Sequence, residues 1–221
     1  MTPTRPHDPW LESQAPAAEA VTKALDALYA AGPTPAATAR ATERVRTALA
    51  AAADPLWYAV LERSAIGPLY VAMSARGLVS VRFGMTEAAF LALVRQQTGQ
   101  MPVRHQAKAV AAARQVAEYV AGRRAAFDLP VDLSHVTAFQ RQVLLAAGRI
   151  PRGQVRTYAE LARQIGRPTA ARAVGQALSH NPVPIVVPCH RVLAADGSLR
   201  GYLGSQGVET KQRLLVLEGA R

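Results

Sequence analysis

The sequence contains one cysteine, Cys189, among its 221 residues. A disulfide framework within the chain and a zinc site built from several thiolates both need more thiols, so both are excluded. The unpaired thiol fits the reducing environment of the cytoplasm. Four histidines are scattered along the chain, and we interpret them as structural or solvated: His7, His105, His135 and His180. We therefore expect no metal and no cofactor.

Long apolar runs are also missing. No stretch reaches the about 20 apolar residues that a membrane-spanning helix needs. The first residues, MTPTRPHDPWLES, lack the continuous apolar segment of an export signal. We expect neither membrane insertion nor export. Hydrophobic residues still make up 50% of the chain, enough for the core of one large domain or two small ones.

Acidic residues are scarce. Asp and Glu number 15 against 26 Lys and Arg, which gives a formal net charge of +11. Such a positive field attracts polyanions, and nucleic acid is the first partner class to consider. A coding bias that favours Ala and Arg would produce the same excess. The charge therefore nominates nucleic acid without proving it.

Residues 1–54 are rich in alanine. Their apolar periodicity predicts two helices, at about 13–31 and 36–53, separated by the GPTP sequence at 32–35. The apolar stripes are typical of helix-packing faces. Two roles stay open for this segment: a helical hairpin that covers the part of the chain after it, or a docking site for a partner protein.

Residues 55–132 show a different period. The segments WYAVLERS, GPLYVAMS and GLVSVRF are short and rich in apolar and β-branched residues, which predicts an antiparallel meander. Two helices are predicted at 86–98 and 106–121. An extended segment follows at 127–133, and its Pro130 favours a sheet edge. This part of the chain shows no catalytic cluster.

Residues 133–221 are predicted to be mostly helical. A three-residue turn, GRP, joins the second and third helices and is short enough to set them across each other as a helix-turn-helix. The four predicted helices span residues 137–149, 158–165, 169–180 and 208–218.

The segment NPVPIVVPCHRV, residues 181–192, carries the clearest chemical signal. An isolated cysteine is usually a small buried hydrophobe. Here His190 follows Cys189 directly, and an adjacent imidazole can activate a thiol by taking its proton. Three prolines stiffen the approach to the pair: Pro182, Pro184 and Pro188. Spacing alone leaves the structural and the catalytic interpretations both open.

PCHRV, together with the upstream sequences TYAELA and ARAVGQALSHNP, resembles the O6-alkylguanine-DNA alkyltransferases, also called methylated-DNA–protein-cysteine methyltransferases. The resemblance covers residues 127–219 and, more weakly, the chain from Trp57; residues 1–54 have no counterpart in the common core. It implies an α+β fold. A small antiparallel sheet with helices is followed by a mostly helical, winged-helix-like DNA-binding subdomain that contains the helix-turn-helix.

The resemblance implies single-turnover repair of alkylated DNA. Cys189 would take the alkyl group from the O6 oxygen of guanine as a stable thioether. His190 would accept the thiol proton through a water, and Glu218 would orient the imidazole. Asn181 would tie the recognition helix to the active-site loop through backbone hydrogen bonds.

The resemblance also implies a partner, duplex DNA that contains O6-alkylguanine, bound by a monomer. The second helix of the helix-turn-helix would enter the minor groove, and the target base would be flipped out of the stack. Arg172 would fill the vacated place, and Tyr158 would press on the neighbouring phosphate. Small residues would allow the close approach: Ala170, Ala171, Ala173 and Gly175.

The residues implied for the guanine pocket are Pro184, Val192, Tyr202, Leu203, Gly204 and Ser205. The sequence departs from the family here. Many members carry a serine at the position of Leu203, and the loop at 201–207 is two residues longer than usual. Ser205 or backbone N–H groups could replace the lost hydroxyl.

Two other functions stay open. A lesion sensor of the same family would flip the base without chemistry, but such relatives replace the nucleophile, and Cys189 is intact. A transcriptional regulator would read the major groove with long polar side chains. The recognition-helix sequence AARAVGQAL is too small and apolar for that role.

Overall fold

The structure is a computed structural model of the chain. It describes residues 55–199 and 207–220, together with scattered positions between 23 and 40. The chain divides into two compact units, residues 1–53 and 54–221. The two helices predicted before residue 55 lie largely outside the described residues. The architecture below is that of the second unit.

Three antiparallel strands form the predicted meander: β1 (Trp57–Leu61), β2 (Leu69–Ser74) and β3 (Gly77–Phe83). A fourth strand, β4 (Val103–Arg104), pairs in parallel with β1, so the sheet is mixed, with the order β3-β2-β1-β4. The sequence did not predict β4, because two residues carry no readable alternation.

Two helices accompany this sheet, α1 (Glu87–Thr98) and α2 (Gln106–Val120), close to the predicted bounds. The Thr86 side chain caps α1 by accepting from Ala89 N, and Gly99 ends it in the left-handed conformation. One face of α2 is buried, and it packs on β1 and β2.

The extended segment 127–133 lies along the outer side of β3. Leu78 N donates to Pro130 O at 2.8 Å, and Asp132 N donates to Leu78 O at 2.9 Å, which leaves one isolated bridge at Val131. Pro130 lacks an N–H, and here only its carbonyl is used.

The second half contains α3 (Ala138–Gly148), α4 (Tyr158–Gln164), α5 (Ala171–Ser179) and α6 (Gly207–Leu217). A capping box between Thr157 and Glu160 starts α4. Helix α5 begins two residues later than predicted, because Thr169 and Ala170 belong to the turn. Short strands β5 (Arg156–Thr157) and β6 (Val192–Leu193) pair in parallel, in contrast to the antiparallel hairpin of a typical wing.

The two halves share one hydrophobic core. The same buried cluster contains side chains of the sheet and α2, side chains of the later helices, and Cys189 itself; representative members are Val71, Leu78, Val116, Val143 and Leu161. The segment that carries Cys189 therefore packs against side chains of both halves. None of the helices in the described part of the chain is long and apolar enough to cross a membrane.

Candidate active site

The loop between α5 and β6 carries the cysteine. It leaves α5 at His180, and a short 3-10 helix, Cys189–Arg191, ends it. Ile185 has a φ of 74°, and its side chain is fully buried. A β-branched residue in this conformation costs about 1–3 kcal/mol, and the burial of the side chain offsets that cost. The loop is thus held in one shape by packing.

The sheet supports the same loop. Val81 N donates to Pro182 O at 2.9 Å, and Arg82 Nη1 donates to that oxygen at 2.7 Å. Arg82 is buried and also donates to its neighbour Val81 O. The first half of the fold therefore anchors the loop next to Asn181.

Asn181 lies against the cysteine sulfur. Its Nδ2 donates to Cys189 Sγ at 3.1 Å and to Val187 O at 2.9 Å, and its Oδ1 accepts from Val183 N at 3.0 Å. Two of these hydrogen bonds are to backbone atoms of the loop that carries the cysteine. The contact with sulfur goes beyond the backbone role expected from the sequence, since an amide donor stabilises a thiolate.

Cys189 is only 6% exposed, and burial raises the pKa of its thiol. Four features oppose that rise: the Asn181 hydrogen bond, the positive charges of Lys211 and Arg82, and a backbone hydrogen bond at Cys189. The resting thiol is protonated, so its activation needs a base.

The next residue in the chain, His190, is a candidate for that base. His190 Nε2 and Glu218 Oε1 are 2.6 Å apart, and both side chains are fully buried. Burial lowers the pKa of His190, although Glu218 counteracts it. Burial raises the pKa of Glu218, but hydrogen bonds from His190, Arg191 and Tyr119 overcome this and bring it to about 2. The pair at rest is a neutral imidazole beside a carboxylate.

Sequence analysis missed two other partners of Glu218. Arg191 Nε donates to Glu218 Oε2 at 2.7 Å, and Arg191 Nη1 donates to Ile150 O. Tyr119 OH donates to Glu218 Oε1 at 2.5 Å. Arg191 lies within the PCHRV motif, but the sequence analysis assigned it no role. The sequence gives no sign that Tyr119 belongs to the site, because a tyrosine in the apolar stripe of a helix is typical of a core residue.

Lys211 was also missed. It is fully buried, and its Nζ donates to Val192 O at 2.6 Å. The same Nζ lies 5.9 Å from the centre of the Tyr158 ring. Lys211 shares one face of α6 with Leu214 and Leu215, and a lysine in such an apolar stripe was a readable signal.

Helix α5 carries the residues predicted to bind DNA, and they lie on its less buried side. Arg172 and Ala173 are exposed, while Ala170, Ala171 and Gly175 are half-buried. The opposite face, with Val174, Ala177 and Leu178, is buried.

Other contacts fix the placement of α5. Tyr158 is half-buried, and a Cβ built on Gly175 would lie 3.8 Å from its ring. Gln140 of α3 donates to Ala177 O and His180 O, which satisfies carbonyls at the end of α5.

The structure brings Asn181, Cys189, His190 and Glu218 into one buried cluster. Pro184 and Val192 are buried in the adjoining loop and strand. The other residues expected in the pocket lie outside the described residues: Tyr202, Leu203, Gly204 and Ser205. Within residues 55–199 and 207–220, no group of three or more His, Cys, Asp or Glu side chains is placed to hold a metal ion.

Two family models match the chain. The "6-O-methylguanine DNA methyltransferase, ribonuclease-like domain" matches residues 56–133, and the "6-O-methylguanine DNA methyltransferase, DNA binding domain" matches residues 138–220. Together they cover the sheet, both halves of the shared core and the cysteine loop.

Curated relatives agree. The methylated-DNA–protein-cysteine methyltransferase of Methanosarcina acetivorans is 39% identical over 168 residues, 75% of this chain and 99% of that protein. The Mycolicibacterium paratuberculosis protein of the same name is 52% identical over 107 residues, 48% of this chain. That second match spans 63% of the mycobacterial protein, less than two thirds of its length.

Solved structures are similar as well. Mycobacterium tuberculosis OGT, crystallised in complex with DNA, matches with a TM-score of 0.62 and 39% identity, covering 74% of this chain and 93% of that chain. The O6-methylguanine-DNA methyltransferase of Pyrococcus kodakaraensis matches with a TM-score of 0.52 and 28% identity, covering 74% of this chain and 99% of that chain. The chain therefore belongs to the 6-O-methylguanine DNA methyltransferase family, the DNA-repair enzymes named methylated-DNA–protein-cysteine methyltransferases.

Proposed function

We propose that this protein repairs duplex DNA by moving the alkyl group of O6-alkylguanine onto Cys189, once per molecule. The observation that carries the proposal is a buried cluster in which Asn181 donates to Cys189 Sγ and His190, the residue after the cysteine, is paired with Glu218. It supplies a nucleophile, a donor to its sulfur, a base and an orienting carboxylate.

The transfer is a substitution at the alkyl carbon. The Cys189 thiol gives its proton, through a water, to His190, whose Nε2 is engaged by Glu218 and whose Nδ1 serves as the base. The sulfur then forms a bond to the alkyl carbon as the bond from that carbon to O6 breaks. The bonding electrons leave with guanine, which takes up a proton and becomes ordinary guanine. The thioether product resists hydrolysis, so the protein is consumed.

Access to O6 requires that the nucleotide leave the stack. Flipping costs a few kcal/mol, and the exposed face of α5 supports this step. Arg172 stands on that face, where its flat guanidinium can replace the extruded base. The small residues beside it permit close approach to the minor groove. In this proposal Tyr158, whose ring lies near Gly175, presses on the phosphate backbone.

Intact-protein mass spectrometry tests the proposal. The protein is incubated with a duplex that carries one O6-methylguanine, and in parallel the Cys189→Ala variant is treated identically. We expect a gain of one methylene per molecule in the wild-type protein, mapped to Cys189 by peptide sequencing, and none in the variant. A wild-type protein that binds the duplex but gains no mass would instead be a lesion sensor.

A further inference from the structure

Tyr119 enters the active site from the other half of the fold. It lies near the end of α2, is 1% exposed, and its ring stacks on Phe127 with centres 4.7 Å apart. Its hydroxyl donates to Glu218 Oε1 at 2.5 Å and accepts from Arg191 Nη2 at 3.0 Å. The phenol is therefore part of the hydrogen-bond network around His190.

The carboxylate of Glu218 accepts hydrogen bonds from several donors. Oε1 accepts from His190 Nε2 at 2.6 Å, from Tyr119 OH at 2.5 Å and from Arg191 Nη2 at 3.1 Å. A carboxylate oxygen offers two lone pairs, so three donors on one atom must share them. A stronger bond from one donor weakens the bonds from the others.

We propose that Tyr119 is a positioning residue for alkyl transfer: it holds the Glu218 carboxylate against His190 and, by sharing its oxygen, keeps the imidazole neutral and ready to take the thiol proton. This inference rests on the proposed function. Burial, and then the hydrogen bond and charge of Glu218, raise the pKa of Tyr119 to about 12, so the phenol stays a donor at any working pH.

The direction of the effect follows from the surrounding charges. The groups around the His190–Glu218 pair are Tyr119 from α2, Arg191 and Cys189 from the 3-10 helix, and Lys211 from α6. The charges of Arg191 and Lys211 lower the pKa of His190, and Glu218 raises it. Tyr119 has no charge and acts through Glu218. Its removal frees Oε1 for His190, which raises the pKa of the imidazole.

The test uses Tyr119→Phe in the full-length chain and measures the rate of methyl transfer from an O6-methylguanine duplex against pH. Protonated His190 cannot take the thiol proton, so its titration sets the acid limb of the profile. We expect that limb to move to higher pH by about half to one unit. NMR titration of the His190 ring without DNA should move in the same direction.

A second substitution tests the direction in which the Tyr119 hydroxyl shifts the pKa of His190. Replacing Tyr119 by 3-fluorotyrosine keeps the hydroxyl and makes it a stronger donor, so the acid limb and the His190 titration should move to lower pH. This variant keeps the ring and its hydroxyl and differs by one fluorine atom, and it carries the test even where the phenylalanine variant does not fold.

Tyr58→Phe is the matched control. The Tyr58 hydroxyl donates to Glu87 Oε1, also at 2.5 Å, outside the active site, so its loss should leave both titrations unchanged. Substitutions of Tyr119 that lower the rate equally at every pH, or leave the His190 titration unmoved, would overturn the inference. A wild-type protein that gains no mass would instead refute the proposed function, while the His190 titration would still decide the role of Tyr119.

Discussion

Glu218, which lies beside His190, also affects the acid stability of the protein. In the folded protein its pKa is lowered from 4.5 to about 2. Because the folded pKa lies below the unfolded one, the carboxylate stabilises the fold fully above pH 4.5. That stabilisation is lost as the pH falls from 4.5 through about 2, and by linkage it amounts to about 3 kcal/mol.

Glu218→Gln should therefore flatten the pH dependence of unfolding in that window. At neutral pH the variant should be less stable by roughly 3–5 kcal/mol, because Arg191 loses its buried anionic partner. The loss due to His190, whose pKa is lowered by burial, begins below pH 6.5 and should persist. Urea unfolding between pH 7 and 2 measures both effects.

The exposed residue Glu62 supplies the control for this prediction. Glu62→Gln should keep the wild-type dependence on pH, because its carboxyl is exposed. If Glu218→Gln showed the same fall in stability between pH 4.5 and 2 as the wild type, another carboxyl would be responsible. Asp132, whose pKa is also lowered, would then be the first to consider.

The sequence predicted some residues of the candidate site and missed others. Cys189, His190 and Glu218 carry recognisable chemistry at recognisable positions, and the structure places them together. Tyr119 and Arg82 reach the site from elements far away in the sequence. Their hydrogen bonds depend on how the two halves pack, and a one-dimensional pattern does not contain that information.

Local signals fixed most of the elements. Thr86, Thr137 and Thr157 each cap the helix that follows, and each capped helix begins within one residue of its predicted start. Strand β4 forms by pairing with β1 over two residues, and the bridge at Val131 forms with β3. Strand β4 is a product of tertiary contact, so propensity alone did not find it, whereas the extended segment that contains Val131 was predicted.

Gly77 shows how closely the segment 127–133 approaches the sheet. Its φ is 144°, and a Cβ at this position would lie 2.4 Å from Pro130 O. Gly77→Ala should push the two backbones apart and weaken the hydrogen bond from Leu78 N to Pro130 O. We expect a loss of roughly 2–4 kcal/mol in the free energy of unfolding.

Gly84→Ala is the control for this variant. Gly84 also has a positive φ, 67°, but no atom lies within 4 Å of an added Cβ. It should cost about 1 kcal/mol, the conformational penalty alone. Urea denaturation compares the two variants, and amide exchange at Leu78 reports the local opening. Equal losses would mean that the approach of Pro130 does not determine the stability of this edge.

The positive charge of the whole molecule is concentrated in its second unit. Residues 55–221 contain 21 of the 26 Lys and Arg but 9 of the 15 Asp and Glu, so residues 1–54 contribute no net positive charge. Phosphate contacts dominate the affinity of a protein for DNA and make it fall with salt. The attraction to DNA therefore belongs to the part of the chain that carries the active site.

Removal of residues 1–54 tests this division. Both family models begin after residue 54, and the Methanosarcina acetivorans relative is matched over 99% of its own length by 168 residues of this chain. We therefore expect residues 55–221 to fold alone and to transfer a methyl group within about twofold of the full-length rate. The slope of log affinity against log salt should not change, because no net positive charge is removed. Fluorescence anisotropy at several salt concentrations, beside the mass assay, measures both. A shallower slope would place phosphate contacts within residues 1–54, whereas an unchanged slope with a lower melting temperature would assign them the role of a helical hairpin that covers the fold.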